Sequence, residues 1–255
     1  MRLVTDVNMS TIIYYDQIDS TNRIAKELVL EGKPSGTVVR AGMQSAGKGQ
    51  YGRIFNSPVG GLYFSLLLKP NLDLEHLPLV TLATGLACRD VIHSTFNIQS
   101  QIKWPNDIYL GDKKLAGILC ENIDFCAAGN TSATVVIGVG ININNSIEDF
   151  SIEIQPIITT LFEHLKIQVD LHSVLSLIVT AIIKNVLLLS ENRQVLLNQW
   201  QQYDYLYNKS VVYAAGSLTF QGTGLGISSQ GYYRIRDTQG AEHCVVGGQL
   251  RLVPI

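Results

Sequence analysis

The sequence predicts an α+β fold, a mixed or antiparallel sheet packed with helices, followed by a small β-barrel. Three observations carry that prediction. Over residues 1–207 strand-like and helix-like stretches interleave, yet several strands are joined by short turns rather than helical crossovers, which disfavours a doubly wound parallel sheet. Two long stretches repeat apolar residues at helical spacing. From residue 208 to 255 the helical period stops, and short β runs alternate with glycines such as Gly216, Gly222, Gly231 and Gly240.

Taken in order, Thr11 to Ile18 reads as a strand, and Asp19-Ser20-Thr21 opens a helix whose apolar face includes Ile24 and Leu28. Gly32 and Pro34 stop it. Thr37 to Met43 is β-rich; a glycine-dense loop, Gly47 to Gly61, leads into the strongly β segment Leu62 to Leu68. Leu77 to Phe96 has helical spacing. Gln99 to Trp104 is a strand ended by Pro105, and Asp107 to Leu110, a Gly111-Asp112 turn and Lys114 to Glu121 form a hairpin. Thr134 to Asn144 is a further strand. Ile157 to Leu165 and Leu171 to about Trp200 are expected to be helices.

With 46% hydrophobic and 16% charged residues and a net charge of −2, the 255-residue chain has the composition of a soluble globular protein and too little positive charge for a general nucleic-acid binder. The first residues contain Asp6 and Asn8 and no continuous apolar run, so no signal peptide is expected. Leu171 to Leu189, cut by Lys184 and Asn185, is expected to be a buried helix rather than a membrane span. Cys88, Cys120, Cys126 and Cys244 show no CxxC spacing, which fits reduced thiols in the cytoplasm.

Several motifs invite chemical readings. Gly47-Lys48-Gly49-Gln50-Tyr51-Gly52 spells GxGxxG, but the dinucleotide fingerprint needs a helix at the glycines, and here the chain runs on into a strand. Gly42 to Lys48 spells GxxxxGK, but Gly49 stands where a P-loop needs Ser or Thr. What survives is common to both: glycines let backbone N–H groups approach an anion, and Lys48 and Arg53 add charge. Taken alone, the loop is as readily a solvated hairpin. Lys103 precedes a rigid turn in Lys103-Trp104-Pro105-Asn106-Asp107, where a compact cation suits a carboxylate or phosphate; a surface lysine beside a packing tryptophan is the bland reading. Lys114 to Leu119 and Gly138 to Asn142, singly, read as plain strands.

In combination and in this order, however, these strings resemble the biotin–protein ligase family across essentially the whole chain, with Lys103 to Asp107 and Lys114 to Leu119 the most specific. The resemblance implies a class II synthetase-like catalytic domain (1–207) and a small SH3-like domain (208–255). It implies ATP-dependent formation of biotinyl-5′-AMP, with Mg²⁺ entering on the nucleotide, and transfer of biotin to a lysine of the biotin carboxyl carrier protein of acetyl-CoA carboxylase. Ser20, Thr21 and Gln44, with Asn22 beside them and Gly117 nearby, would take the ureido ring, which offers one carbonyl acceptor and two N–H donors. Ser20 or Thr21 is equally suited to capping the helix. The loop from Gly47 through Lys48, Gly49 and Gln50 to Arg53 would close over biotin and the adenylate. Lys103, aided by Lys48 and Arg53, would neutralise charge as carboxylate attacks phosphorus. Phe55 would stack on adenine or simply anchor the loop. Asn106, Gly138, Gly140 and Asn142 would border the nucleotide; no metal ligand is identified.

Two departures stand out: Lys48 and Gln50 occupy positions where members of this family commonly carry arginine. The first strand of the resemblance begins near Thr11, so neither a DNA-binding helix-turn-helix nor a repressor role is expected. An exposed sheet edge would serve a homodimer or dock the carrier. Competing functions are a lipoate–protein ligase, a non-catalytic biotin sensor and a nicotinamide oxidoreductase. A dithiolane ring gives Ser20, Thr21 and Gln44 nothing comparable to bond; Gln50 alone leans toward the sensor.

Overall fold

Strict alternation along the central strands gives the main sheet two apolar faces. The computed structural model describes residues 11–123 and 134–253. Its first sheet contains β1 (Thr11–Ile18), β2 (Thr37–Gln44), β3 (Leu62–Leu68), β4 (Gln101–Lys103), β5 (Asp107–Leu110), β6 (Lys113–Ile123) and β7 (Thr134–Ile141) in the order β1-β2-β3-β7-β6-β5-β4. Only the β1–β2 pair is parallel; the other neighbours are antiparallel. Val39, Leu67 and Val136 point to one face, where helix α1 (Thr21–Leu30) buries Ala25, Leu28 and Val29. Their neighbours Val38, Leu66 and Ile137 point to the other, covered by α2 (Leu79–Phe96) and α4 (Leu171–Gln201).

Helix α4 is long and apolar enough by composition to cross a membrane. Its stripe of Val174, Leu175, Ile178, Val179, Ile182 and Val186 nevertheless lies in the core with α2, as expected for a buried helix. Asn192 interrupts its helical backbone. The expected helix from Ile157 is much shorter, α3 (Leu161–Leu165). Ile158 pairs with Lys114 as an isolated parallel bridge, Thr159 N–H donates to Lys114 O at 2.9 Å, and Thr160 Oγ1 caps Glu163 N at 3.2 Å. Consecutive threonines favour that extended, capping conformation over a helix interior.

The second sheet, β8 (Ser210–Ala215), β9 (Leu218–Ile227), β10 (Tyr233–Asp237), β11 (Glu242–Val245) and β12 (Gln249–Leu252), is antiparallel in the order β11-β10-β9-β8-β12. Its buried Val211, Tyr233 and Leu250 join the same core as the first sheet. The junction is polar as well as apolar. Trp104 Nε1–H donates to Gly231 O at 3.0 Å, and Tyr233 Oη–H donates to the buried Asp204 at 2.8 Å. Asp204 pairs beside β4, where Ile102 N–H donates to Tyr203 O and Ile102 O accepts from Tyr205 N–H. Burial pushes the Asp204 carboxyl up to about 6. Cys88, Cys120 and Cys244 are free thiols; Cys126 and the residues read for a signal peptide lie outside the described residues.

Candidate active site

The C-terminal ends of β1 and β2 bring Ser20, Thr21 and Gln44 to one end of a cleft that crosses the sheet. Ser20 sits at the N-cap position of α1 with extended backbone, but its hydroxyl makes no capping hydrogen bond. Gln44 fills that role from outside the helix: its Oε1 accepts from Thr21 N–H at 2.8 Å, and its Nε2 donates to Ser57 Oγ at 2.8 Å. An amide whose oxygen faces a backbone N–H cannot be flipped without losing that bond. Asn22 Nδ2 donates to Leu119 O at 3.2 Å and to Glu121 at 2.8 Å, while its Oδ1 lies 2.5 Å from the buried Ser65 hydroxyl. Gly138 leaves the space for Asn22, because a Cβ there would lie 2.1 Å from Asn22 Oδ1.

The glycine loop folds as a narrow hairpin. Gln44 bridges Ser57, Lys48 bridges Ile54, and Phe55 N–H donates to Gly47 O at 2.8 Å. Its tip turns through Gln50, Tyr51 and Gly52, with Tyr51 and Gly52 at positive φ. Tyr51 Oη accepts from Gly248 N–H of the second sheet's last turn at 2.7 Å. Gly47 lies behind Gln44 rather than on the cleft surface: a Cβ there would come 2.4 Å from Phe55 O and 3.1 Å from Gln44 Nε2. Phe55 folds inward over the register pair Gly117–Gly140, where a Cβ on Gly140 would meet its ring at 2.4 Å. It also meets Tyr63 edge-on, at 6.4 Å between centroids. In this structure Phe55 anchors the loop.

The other end of the cleft is cationic. Lys48, Arg53, Lys103, Lys114 and Arg251 line it, against a single carboxylate, Asp107, among the described lining residues. Lys103 leaves the end of β4 and donates to Tyr109 Oη at 3.2 Å. Burial lowers its ammonium below the usual lysine range; Asp107 opposes the shift, and Lys114, Arg251 and Arg53 reinforce it. Lys114 is ion-paired with Asp107 at 2.6 Å. Lys48 and Arg53 make no side-chain hydrogen bond with the described residues and face the cleft ready for an anion.

The cleft therefore gathers Ser20, Thr21, Asn22, Gln44, Lys48, Gly49, Gln50, Arg53, Phe55, Lys103, Asn106, Gly117, Gly138 and Gly140. It does not gather Asn142, which is buried with its amide donating to Thr159 O at 3.1 Å, tying the segment before α3 to β7. Asn106 lines the cleft but spends its amide on Ile118 O at 2.9 Å, clamping the β5–β6 hairpin. Arg251, Gly248 and Lys114 were not among the residues singled out from sequence. Lys114 carried a signal, as the first residue of a quoted string; Arg251 carried none, because its place depends on how the second sheet docks.

Residues 14–142 match the family model described as biotin/lipoate A/B protein ligase family. The bifunctional ligase/repressor BirA of Bacillus subtilis is 32% identical over 248 residues, covering 93% of this chain and 73% of that protein. A biotin–[acetyl-CoA-carboxylase] ligase of Paracoccus denitrificans is 34% identical over 133 residues, 49% of this chain and 51% of its own length. Among solved structures, the biotin protein ligase of Aquifex aeolicus in complex with biotin and ATP superposes with a TM-score of 0.83 at 28% identity, covering 96% of this chain and 100% of that one. With the matching model spanning half of the chain and the BirA likeness nearly all of it, the protein belongs to the biotin/lipoate A/B protein ligase family.

Proposed function

We propose that this protein is an ATP-dependent biotin–protein ligase in which the neutral end of the cleft takes the biotin ring and the cationic end takes the nucleotide. The observation that carries the reading is that one cleft holds the neutral polar set Ser20, Thr21 and Gln44 together with Lys103 at the β4 end, whose buried ammonium stands among the charges of Arg53, Lys114 and Arg251. A biotin carboxylate beside Lys103 attacks the α-phosphorus of ATP; a P–O bond forms, pyrophosphate leaves, and biotinyl-5′-AMP results. The acceptor's neutral lysine amine then attacks the acyl carbon, forming an amide, losing a proton and releasing AMP. Both nucleophiles belong to substrates, so the protein supplies position, charge and exclusion of water.

Lys103 neutralises the carboxylate and α-phosphate, while Lys48 and Arg53 reach the same anions from the hairpin. Gln50 donates a neutral hydrogen bond there. Gly49 allows close backbone approach, and Phe55 moves from the Gly117–Gly140 floor to stack on the adenine or stays to pack beneath it. Mg²⁺ enters on the nucleotide. Asp107 is already held by Lys114, so the cleft residues do not build a magnesium site of their own.

A carrier domain of a biotin-dependent carboxylase is the acceptor that fits this chemistry, and the reduced thiols fit a cytoplasmic enzyme. The exposed edge strand β1 offers unpaired backbone groups for a carrier strand or a second copy of the chain. Lipoate lacks the donors and acceptors that the polar end is arranged to meet, and a pure sensor has no use for five cations around the carboxylate. Incubation with ATP and either biotin or lipoate tests the reading. Pyrophosphate release is expected with biotin alone; release with lipoate alone contradicts it.

A further inference from the structure

We infer that Ser65 and Asn22 are positioning residues that lock the Thr21 hydroxyl as a hydrogen-bond acceptor toward the ring-binding end of the cleft. This rests on the placement of the ureido ring proposed above. The deduction follows protons through a buried chain. Both hydrogens of Asn22 Nδ2 go to acceptors, Leu119 O at 3.2 Å and Glu121 Oε2 at 2.8 Å, so a flipped amide would set oxygen against oxygen. Glu121 is itself held by Lys26 at 2.5 Å, which fixes that end of the chain.

Asn22 Oδ1 therefore faces Ser65, 2.5 Å away, and needs its proton. Ser65 is fully buried on β3 and has one proton to give. Having given it to Asn22, Ser65 can only accept from Thr21 Oγ1, 2.8 Å away. The next acceptor for Thr21, Gln44 Oε1, is 3.2 Å off and already accepts from Thr21 N–H at 2.8 Å. By either route the Thr21 proton is consumed inside the protein. What Thr21 presents to a ligand is a lone pair.

Gln44 completes the opposite polarity. Its Nε2 gives one hydrogen to Ser57 Oγ, whose own proton goes to Phe55 O at 3.0 Å, and keeps one N–H for the cleft. The pair offers one acceptor and one donor side by side, matching an N–H and the carbonyl of a cyclic urea. Ser20, with its hydroxyl uncommitted, is the adaptable third member.

Titration calorimetry on the full chain tests the lock, using biotin and the two cyclic carbamate analogues in which one ureido N–H is replaced by ring oxygen. Biotin binding by the wild type is established first; its absence strikes the ureido placement itself rather than the proton assignment. One carbamate is expected to bind about tenfold or more weakly than biotin, because its oxygen meets the Thr21 lone pair. In Ser65→Ala the Thr21 proton loses its nearer acceptor and keeps only Gln44 Oε1 at 3.2 Å, already occupied by Thr21 N–H. It can leave that acceptor for the analogue's oxygen, so the same analogue's deficit should shrink to about threefold. A role in folding alone would weaken biotin and carbamate equally and leave the ratio unchanged, which overturns the inference. Asn22→Ala, which frees Ser65 to donate to Thr21, is expected to relax the ratio in the same way and carries the test should Ser65→Ala not fold. Wild-type binding of both carbamates within about twofold of biotin overturns it without any variant.

Discussion

The two ends of the cleft are built on opposite plans. At the neutral end, Thr21, Asn22, Gln44, Ser57 and Ser65 are joined in a hydrogen-bonded chain of neutral groups, complete before any ligand arrives. At the other, five cations face a single carboxylate, and Lys48 and Arg53 have no side-chain partner among the described residues. The first plan recognises shape and polarity, since a ligand must match donors and acceptors that cannot rearrange cheaply. The second stores repulsion that a polyanion relieves, so it responds to charge and leaves geometry to the nucleotide. A carboxylate with a neutral polar head and a nucleotide tail of phosphates spans the two.

The largest effect expected from breaking this division is at Lys103. Lys103→Ala should lower pyrophosphate exchange by about 100- to 1000-fold, on the scale of removing one preorganised charge-stabilising donor. Its pH profile sharpens the point. The protonated ammonium is the working form and burial lowers its pKa, so the charge is lost at lower pH than for a free lysine. The alkaline limb of the exchange rate should therefore lie below the ordinary lysine value of 10.5, and Lys103→Arg should move it upward.

At the junction of the two sheets, Asp204 gives a stability prediction with an unusual sign. Its folded-state pKa of about 6 exceeds the unfolded 3.8, so the folded protein binds this proton more tightly. This group's contribution therefore rises as pH falls from about 6 toward 3.8, by up to about 3 kcal/mol, opposite to a salt-bridged aspartate. Asp204→Asn should flatten the urea midpoint over that window while leaving pyrophosphate exchange within about threefold, as expected for a substitution that touches no substrate.

Gly138→Ala should be milder in stability but selective in function. Its Cβ would meet Asn22 Oδ1 at 2.1 Å, so Asn22 must move and the neutral chain opens. A cost of about 1–3 kcal/mol is expected for such overpacking, with biotin affinity lost and ATP affinity kept, as isothermal titration of each ligand would read. The smallest effect is at Gln50. Replacing a neutral donor by arginine adds about 1–2 kcal/mol of charge-assisted bonding to the intermediate. Gln50→Arg should slow release of biotinyl-5′-AMP about five- to thirtyfold without much change in its formation, measured by stopped flow.

Much of this arrangement was legible in the sequence because it rests on local signals. Alternation and turn chemistry marked β3 and the β5–β6 hairpin within a residue or two, and Asp19-Ser20-Thr21 announced the start of α1. What escaped was non-local. That the Ser20 hydroxyl makes no capping bond, and that Gln44, 24 residues on, accepts from the helix's first N–H at Thr21, depended on how β2 packs beside α1. Asn142 looked like a site residue beside Gly140, yet its amide is drawn to Thr159 across a chain reversal that no spacing rule encodes. The stretch from Ile157 had helical composition, but pairing with Lys114 claimed its backbone. Ser65 was visible as the one serine in an apolar strand; that it lay against Thr21 and Asn22 was not.

The division of labour in the cleft is tested most directly by measuring biotin affinity and pyrophosphate exchange at saturating biotin for Thr21→Val and Lys103→Ala side by side. The account predicts crossed losses. Thr21→Val should weaken biotin by about tenfold and keep saturated exchange within about threefold. Lys103→Ala should lose exchange by about 100-fold or more, far beyond any loss of biotin affinity. If both variants lose affinity and rate in the same proportion, the two ends do not act separately, and the central claim is wrong.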